Sequence, residues 1–231
     1  MAPKKAPPQK LKAKTSRTSE PPDWPAFKPL LPPTDLSLST LVECQIITIH
    51  NFWTSTLCKN YVQFLKGLPL STTPGKPKKG EALRFNDRFQ VQDEVFANRL
   101  WMETGLRELL LGEVETYEGD REGINDESNV LTLNTKPTPT PVKTTWTLLL
   151  YLTSPVTGCQ GGETAFYPDD LPGKTSSIEK ETVVGLETGM LLLHKHGNDC
   201  MLHEGREVTE GEKWVIRTDL CVKREKSGFT D

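Results

Sequence analysis

The stretch from His194 to Leu220, HKHGNDCMLHEGREVTEGEKWVIRTDL, contains three of the chain's four histidines and a run of alternating apolar and polar residues. Alternation with a period of two is typical of half-buried antiparallel strands. The pattern predicts a strand that ends near His203, a turn over Thr209–Glu212, and a second strand that starts at Lys213. We expect the two strands to pair as a hairpin around which the rest of the chain is organised.

Three side chains of this predicted hairpin have the chemistry of a binding site. His203 closes the first strand, and Lys213 and Arg217 share one face of the second, because residues i and i+4 of a strand lie on the same side. A neutral imidazole is a common metal ligand. A cation buried in a β pocket needs an anionic partner, because an unpaired buried charge is costly. The hairpin therefore offers one metal ligand and one or two anchors for an acidic small molecule. The alternative is a core histidine and two solvated cations.

The composition indicates an ordinary globular protein. The 231 residues give room for one domain and a tail, and the net charge of −3 indicates neither nucleic acid nor membrane as a partner. Five cysteines, an odd number without a C-x-x-C pair, indicate free thiols in a reducing compartment. No apolar run approaches the ~18 residues of a membrane span, and the N-terminus lacks the apolar core of a secretory signal. We expect a soluble intracellular protein, cytoplasmic or nuclear, and the sequence leaves its oligomeric state open.

Residues 1–34 are rich in proline and lysine and poor in apolar residues. Such a segment cannot bury enough apolar surface to offset the entropy lost on ordering. We therefore predict a disordered basic tail over residues 1–34 and one domain over residues 35–231. The lysine cluster is either a nuclear-import signal or a solvated tail.

Helical patterns precede β patterns within the predicted domain. The predicted elements are a strand at Val42–His50, a helix from an N-cap at Thr54 or Ser55 to about Gly67, helices from Asp93 to about Thr104 and over Leu106–Leu111, and strands at Thr145–Thr153, Glu163–Tyr167, Thr182–Leu186 and Met190–His194. Short strands at this spacing favour a sandwich or jelly roll. Helices ahead of strands favour the α+β class, with the helices supporting one sheet.

Several short motifs in order resemble the catalytic domain of prolyl 4-hydroxylase-type Fe(II)/2-oxoglutarate dioxygenases, and most closely its small intracellular fungal members. The motifs are Trp146–Leu152, Gly161–Phe166, Gly189–Met190, Leu202–Gly205 and Gly211–Trp214. The resemblance covers roughly Val42 to Arg224 and implies a double-stranded β-helix supported by N-terminal helices. It also implies an oxidoreductase that uses Fe(II), 2-oxoglutarate as co-substrate and L-ascorbate. Such an enzyme hydroxylates a prolyl residue or a small molecule and releases succinate and carbon dioxide.

The resemblance implies a role for six residues. Iron is held by Asp126 and by His203, the distal histidine. The far carboxylate of 2-oxoglutarate is bound by Lys213, ten residues after His203, with Arg217 as the lesser candidate. Thr164 lines the co-substrate pocket, and Tyr117 stands as a remnant of the tyrosine that binds 2-oxoglutarate. For His194 and His196, support of the iron ligands is expected rather than iron ligation.

The chain departs from the family pattern at the first iron ligand. The family has a histidine two residues before the aspartate, and this chain has Ile124 there. Between Leu111 and Asp126 only an acidic stretch occurs, where the family has a β-rich segment. Two further readings therefore stay open. One is a catalytically inactive binding or scaffold β-helix, or a truncated gene product of the same family. The other is an unrelated jelly-roll binding module such as a cupin or a lectin.

Overall fold

The computed structural model describes residues 20–72, 86–116, 142–168, 181–197 and 200–223, without the side chains of residues 112–116, 142–143 and 222–223. The described residues form an α+β structure of three α-helices and twelve strands, and their strand pairs are antiparallel. The predicted α+β class is confirmed. Tyr117, Ile124 and Asp126 lie outside the described residues, and so do residues 1–19 of the predicted tail.

In chain order the elements are a 3-10 turn at Pro33–Asp35, β1 (Ser37–Val42), β2 (Ile46–His50), α1 (Ser55–Leu65), β3 (Ser71–Thr72), β4 (Asp87–Arg88), α2 (Glu94–Glu103), α3 (Leu106–Thr116), β5 (Val142–Tyr151), a 3-10 turn at Pro155–Thr157, β6 (Gln160–Gly161), β7 (Thr164–Tyr167), β8 (Thr182–Val184), β9 (Leu191–Lys195), β10 (Leu202–Gly205), β11 (Val208–Glu210) and β12 (Val215–Lys223). None of the helices among the described residues is long and apolar enough to cross a membrane.

The chain divides into two units, Met1–Asp23 with Pro69–Asp93 and Trp24–Leu68 with Glu94–Asp231. In the smaller unit β3 pairs with β4, and the Thr72 hydroxyl donates to Asp87 Oδ1 over 2.6 Å. The larger unit contains the remaining strands, the helices and every predicted site residue that the structure describes.

A five-stranded sheet with the order β1-β2-β9-β5-β12 forms the centre of the larger unit. The second half of β5, residues 148–151, has apolar side chains on both faces, and both faces are covered by other residues. Leu148 and Leu150 pack into one core with residues of the three helices, and Tyr151 packs into a second core on the opposite face. The second core also contains Phe166 of β7 and Val184 of β8, which belong to a three-stranded sheet with the order β10-β7-β8.

Residues on the tail side of the predicted boundary belong to the first core. Phe27 is 3% exposed. Its ring centroid lies 5.2 Å from that of Trp53 and 5.4 Å from that of Phe96. The Tyr61 hydroxyl donates to the carbonyl of Pro25 over 2.7 Å. The predicted boundary at residue 34 therefore needs correction, because a few aromatic residues within the proline-rich composition bury enough surface to order the segment.

The helix predicted after Thr54 is confirmed, because α1 starts at Ser55 and the Thr54 hydroxyl accepts from the backbone N–H of Leu57 over 3.2 Å. The strand predicted at Val42–His50 is confirmed over its second part, β2 (Ile46–His50), but its start is wrong. Val42 ends β1, and a turn over residues 43–45 joins β1 to β2, which pair as a hairpin. Cys44 in the intervening turn has a φ of 56°, a conformation that a non-glycine residue rarely adopts and that the sequence pattern did not indicate.

The hairpin predicted between His203 and Lys213 is also wrong, because its two strands belong to different sheets. Strand β10 pairs with β7, and β12 pairs with β5. Between them the chain forms β11 on β6 and then turns at Gly211, which has a φ of 75°. A Cβ atom at Gly211 would lie 2.0 Å from the carbonyl oxygen of Gly158, so the turn requires glycine.

Candidate functional site

Three side chains meet where β5 ends, β7 begins and the chain approaches β12; we call them the Lys213 cluster (Lys213, Tyr151, Thr164). The Tyr151 hydroxyl and the Thr164 hydroxyl are hydrogen-bonded over 2.6 Å. The Lys213 ammonium donates to the carbonyl of Gly162 and lies 5.3 Å from the centroid of the Tyr151 ring. The pairing of Val215 with Tyr151 in the sheet fixes this arrangement, because it places Lys213 beside the end of β5.

Glycine at position 162 lets the Lys213 side chain approach the backbone. Gly162 has a φ of 77°, and a Cβ atom there would lie 3.1 Å from Lys213 Cδ. A larger residue would therefore be strained by its backbone conformation, and its Cβ atom would crowd the Lys213 side chain. The Gly-Gly-Glu-Thr motif thus supplies both the space for Lys213 and, two residues later, the buried hydroxyl of Thr164.

The Lys213 ammonium has no carboxylate oxygen within 4.0 Å in the described part of the chain. Every ion pair found there within that distance involves another cation. Burial lowers the pKa of the Lys213 ammonium, and nearby Cys159 and Glu163 act in the opposite direction. Burial also raises the pKa of Tyr151 to about 12, so its phenol is neutral and available as a hydrogen-bond donor. The cluster therefore combines a half-buried cation with two neutral hydroxyls.

Arg217 has a different environment. It shares the strand face of Val215, as predicted, but its side chain is 60% exposed. Its Nη2 lies 3.9 Å from Asp219 Oδ1, so the guanidinium has a carboxylate neighbour. Asp219 Oδ1 also accepts from the Thr147 hydroxyl over 2.9 Å. An exposed cation that already has an anionic neighbour is a weaker anchor for a ligand than Lys213.

His203 lies on β10, opposite Phe166 of β7, and is exposed. Its ring centroid is 4.5 Å from that of His194 on β9, and the Phe166 centroid is 5.5 Å from each imidazole. His194 is only 4% exposed. Burial, and secondarily the neighbouring His203, lowers the pKa of His194 to about 4, so its imidazole is neutral near pH 7.

The structure thus brings Lys213 and Thr164 together, as their shared predicted role requires. Tyr151 was missed from the sequence, where it is one apolar residue among several in the run Thr145–Thr153. Asp126 and Tyr117 fall outside the described residues. Among the residues that are described, no three His, Cys, Asp or Glu side chains lie close enough to hold a metal ion together, and His203 is the one predicted iron ligand in that set.

All five cysteines have free thiols, with Cys58 and Cys159 buried. Burial raises the pKa of Cys58 to about 12, so its thiol is protonated and acts as a small apolar group. No protein-family model matches the chain, and no curated protein sequence matches it.

Proposed function

We propose that this chain is a double-stranded β-helix protein of the Fe(II)/2-oxoglutarate dioxygenase type and that Lys213 binds the far carboxylate of 2-oxoglutarate. The observation that carries the proposal is the half-buried Lys213 ammonium, whose hydrogen bond goes to a backbone carbonyl. A desolvated cation with no carboxylate oxygen within 4.0 Å in the described residues is costly, and a bound carboxylate offsets that cost. Two antiparallel sheets that share the second core support the double-stranded β-helix.

The two hydroxyls of the Lys213 cluster add directionality to this charge. Each hydroxyl has one proton and can also accept. Their mutual hydrogen bond uses one proton, so the pair retains a second O–H that can donate to a ligand. One carboxylate can therefore receive the Lys213 ammonium through one oxygen and the Tyr151–Thr164 pair through the other. Charge-assisted bonds of this kind are shorter and roughly twice as strong as neutral ones.

The oxidative half of the proposed activity requires iron, and the described residues do not complete an iron site. In the proposed enzyme Asp126 and His203 would hold Fe(II), which would supply the oxidation of 2-oxoglutarate that accompanies hydroxylation, and ascorbate would keep the iron reduced. The substrate is a prolyl residue or a small molecule. This half of the proposal rests on the sequence resemblance, whereas the co-substrate half rests on the geometry of the Lys213 cluster.

A second candidate function is dicarboxylate binding without turnover, in an inactive or truncated member of the same family. Ile124 favours it, because an aliphatic side chain donates nothing to a metal at the position where the family has a histidine. Both candidates share the Lys213 cluster and differ only in whether iron is held and used.

Calorimetric titration with 2-oxoglutarate in the presence of Mn²⁺, which avoids turnover, measures the shared part. Loss of one charge-assisted pair costs about 1.5–3 kcal/mol, so Lys213→Ala should weaken binding roughly tenfold to a hundredfold. Arg217→Ala is the matched control, because it removes an exposed cation from the same strand face, and its effect should stay within about twofold. Equal affinity in the wild type and Lys213→Ala would remove the basis of the proposal.

Succinate release from 2-oxoglutarate, with Fe(II) and ascorbate present, separates the two candidates. We expect little or no succinate from the chain as it stands, and tighter Fe(II) binding after Ile124→His because a third ligand then joins Asp126 and His203. Succinate from the unmodified chain that disappears in His203→Ala would favour the active enzyme. Binding of 2-oxoglutarate without succinate in either chain would favour the inactive binding protein.

A further inference from the structure

We propose that His194 and His203 together form a two-imidazole site for a divalent transition metal, with His194 as a ligand that the family pattern does not contain. The site shares His203 with the proposed iron centre. In all other respects it stands on the geometry of β9 and β10 and requires neither 2-oxoglutarate nor Asp126.

The separation of the two rings fits a shared metal. When two imidazoles bind the same metal ion, each with a nitrogen–metal distance of about 2.1 Å, the distance between their ring centroids depends on the nitrogen–metal–nitrogen angle. It is about 4.6 Å at an octahedral angle and about 5.3 Å at a tetrahedral angle. The observed centroid distance is 4.5 Å, and the rings are tilted by 56° rather than stacked. The observed spacing lies at the octahedral end of this range.

Hydrogen bonds to backbone carbonyls fix, in both imidazoles, the tautomer that can bind a metal through Nε2. His194 Nδ1 lies 3.0 Å from the carbonyl oxygen of Lys195, and His203 Nδ1 lies 2.9 Å from that of Met201. A carbonyl only accepts, so in each neutral ring Nδ1 carries the proton and Nε2 keeps its lone pair. Metal-binding histidines are usually oriented in this way, by a hydrogen bond from the other ring nitrogen to a carbonyl or a carboxylate.

Burial distinguishes the roles of the two residues. His194 is 4% exposed and is held by Phe166, so one ligand is rigid before any metal arrives. His203 is exposed and provides access from solvent. Imidazole pairs suit Zn²⁺, Ni²⁺, Cu²⁺ and Fe²⁺ better than Mg²⁺ or Ca²⁺, which prefer oxygen ligands.

His196 provides a matched control on the same segment. Its Nδ1 also contacts an oxygen, that of the Thr147 hydroxyl at 3.0 Å, but no ring contact joins it to His194 or His203 among the described residues. His196→Ala therefore removes an imidazole whose Nδ1 also contacts an oxygen but which is not part of the His194–His203 pair.

The test is a calorimetric titration of the full chain with Co²⁺ alone. His203→Ala and His194→Gln should each weaken Co²⁺ binding by about a hundredfold, at or above the 10–100-fold that loss of a residue supporting a ligand costs. His196→Ala should stay within about twofold. Because His194 is buried and its variant could misfold, imidazole proton spectra of the wild type give an independent measurement. Substoichiometric Co²⁺ should shift or broaden the signals of His194 and His203 before those of His50 and His196.

Asp126→Ala distinguishes failure of this site from failure of the proposed function. If Asp126→Ala and His203→Ala weaken Co²⁺ binding while His194→Gln does not, the metal occupies the family-type site and the two-imidazole site is refuted, whereas the dioxygenase proposal gains support. If no histidine variant changes the affinity, the metal binds elsewhere, for example at a thiol, and the site is likewise refuted. Loss of binding in His194→Gln and His203→Ala alone supports the pair, whatever 2-oxoglutarate does.

Discussion

Replacing Phe27 by alanine should destabilise the larger unit strongly, although residue 27 falls within a proline- and lysine-rich segment. Phe27 is 3% exposed and packs against Trp53, Tyr61 and Phe96 at centroid distances of 5.2, 5.9 and 5.4 Å. The Arg99 guanidinium carbon lies 4.6 Å from its ring centroid. Truncation of a buried phenylalanine costs about 3–5 kcal/mol, a large part of the roughly 5–15 kcal/mol that stabilises a typical domain.

Differential scanning calorimetry measures the effect. At about 2–4 °C per kcal/mol for a chain near this size, Phe27→Ala should lower the melting temperature by roughly 6–20 °C. Val95→Ala is the control, because Val95 is 70% exposed, and surface truncations usually stay within about 0.5 kcal/mol. A melting temperature of Phe27→Ala equal to that of Val95→Ala would refute the packing of this segment.

A pair of deletions tests the same reasoning without substitution. Removal of residues 1–19 should leave the melting temperature within about a degree or two, because their composition has little apolar surface to bury. Removal of residues 1–33 should lower it by more than Phe27→Ala does, because Trp24 and the hydrogen bond from Tyr61 to Pro25 are also lost. Equal melting temperatures of the two deletions would contradict this expectation.

Three further outcomes are expected. Thr54→Ala removes the N-cap of α1 and should cost about 1 kcal/mol in urea unfolding, whereas an unchanged midpoint would argue against the cap. Gly211→Ala should destabilise the protein more than Gly158→Ala does. Both residues have a positive φ, but of the two only Gly211 would place an added Cβ atom 2.0 Å from a carbonyl oxygen. Equal unfolding free energies of the two variants would contradict this contact. Burial lowers the pKa of Lys213, so its ammonium should lose its proton, and 2-oxoglutarate affinity should fall, as the pH rises through a range below the ordinary lysine pKa of 10.5. An affinity that stays constant up to pH 10.5 would contradict a binding role for the protonated amine.

Local signals predicted the helices and several strands but not the partners of the strands. The N-cap at Thr54 and the helix after it depend on neighbouring residues, and they were found. The alternation on either side of Gly211 was also real, but it carries no information on which strand each half pairs with. His203 and Lys213 are ten residues apart in sequence, but His203 lies on β10 and Lys213 lies two residues before β12, and these two strands belong to different sheets. Pairing across a fold is set by long-range packing that a periodic pattern does not encode.

The candidate site was only partly predictable for a related reason. Lys213 and Thr164 were identified through short motifs, and the structure places both beside Tyr151. Tyr151 and His194 look like ordinary strand residues in the sequence. Their roles follow from the side chains that the fold brings beside them, Thr164 and Lys213 beside Tyr151 and His203 beside His194. Phe27 was missed because the average composition of the first 34 residues concealed a few aromatic side chains.

The order of strands in the central sheet has a consequence for synthesis of the chain. The hairpin β1–β2 emerges early from the ribosome, but β2 pairs with β9, about 150 residues later, and β5 pairs with β12 near the C-terminus. Folds dominated by such distant contacts fold slowly, because the loops must close before the contacts stabilise them. Until β9 is made, β2 presents an unpaired apolar edge, and such edges promote aggregation. We therefore expect the yield of soluble protein to depend strongly on translation rate and on chaperones that bind nascent chains.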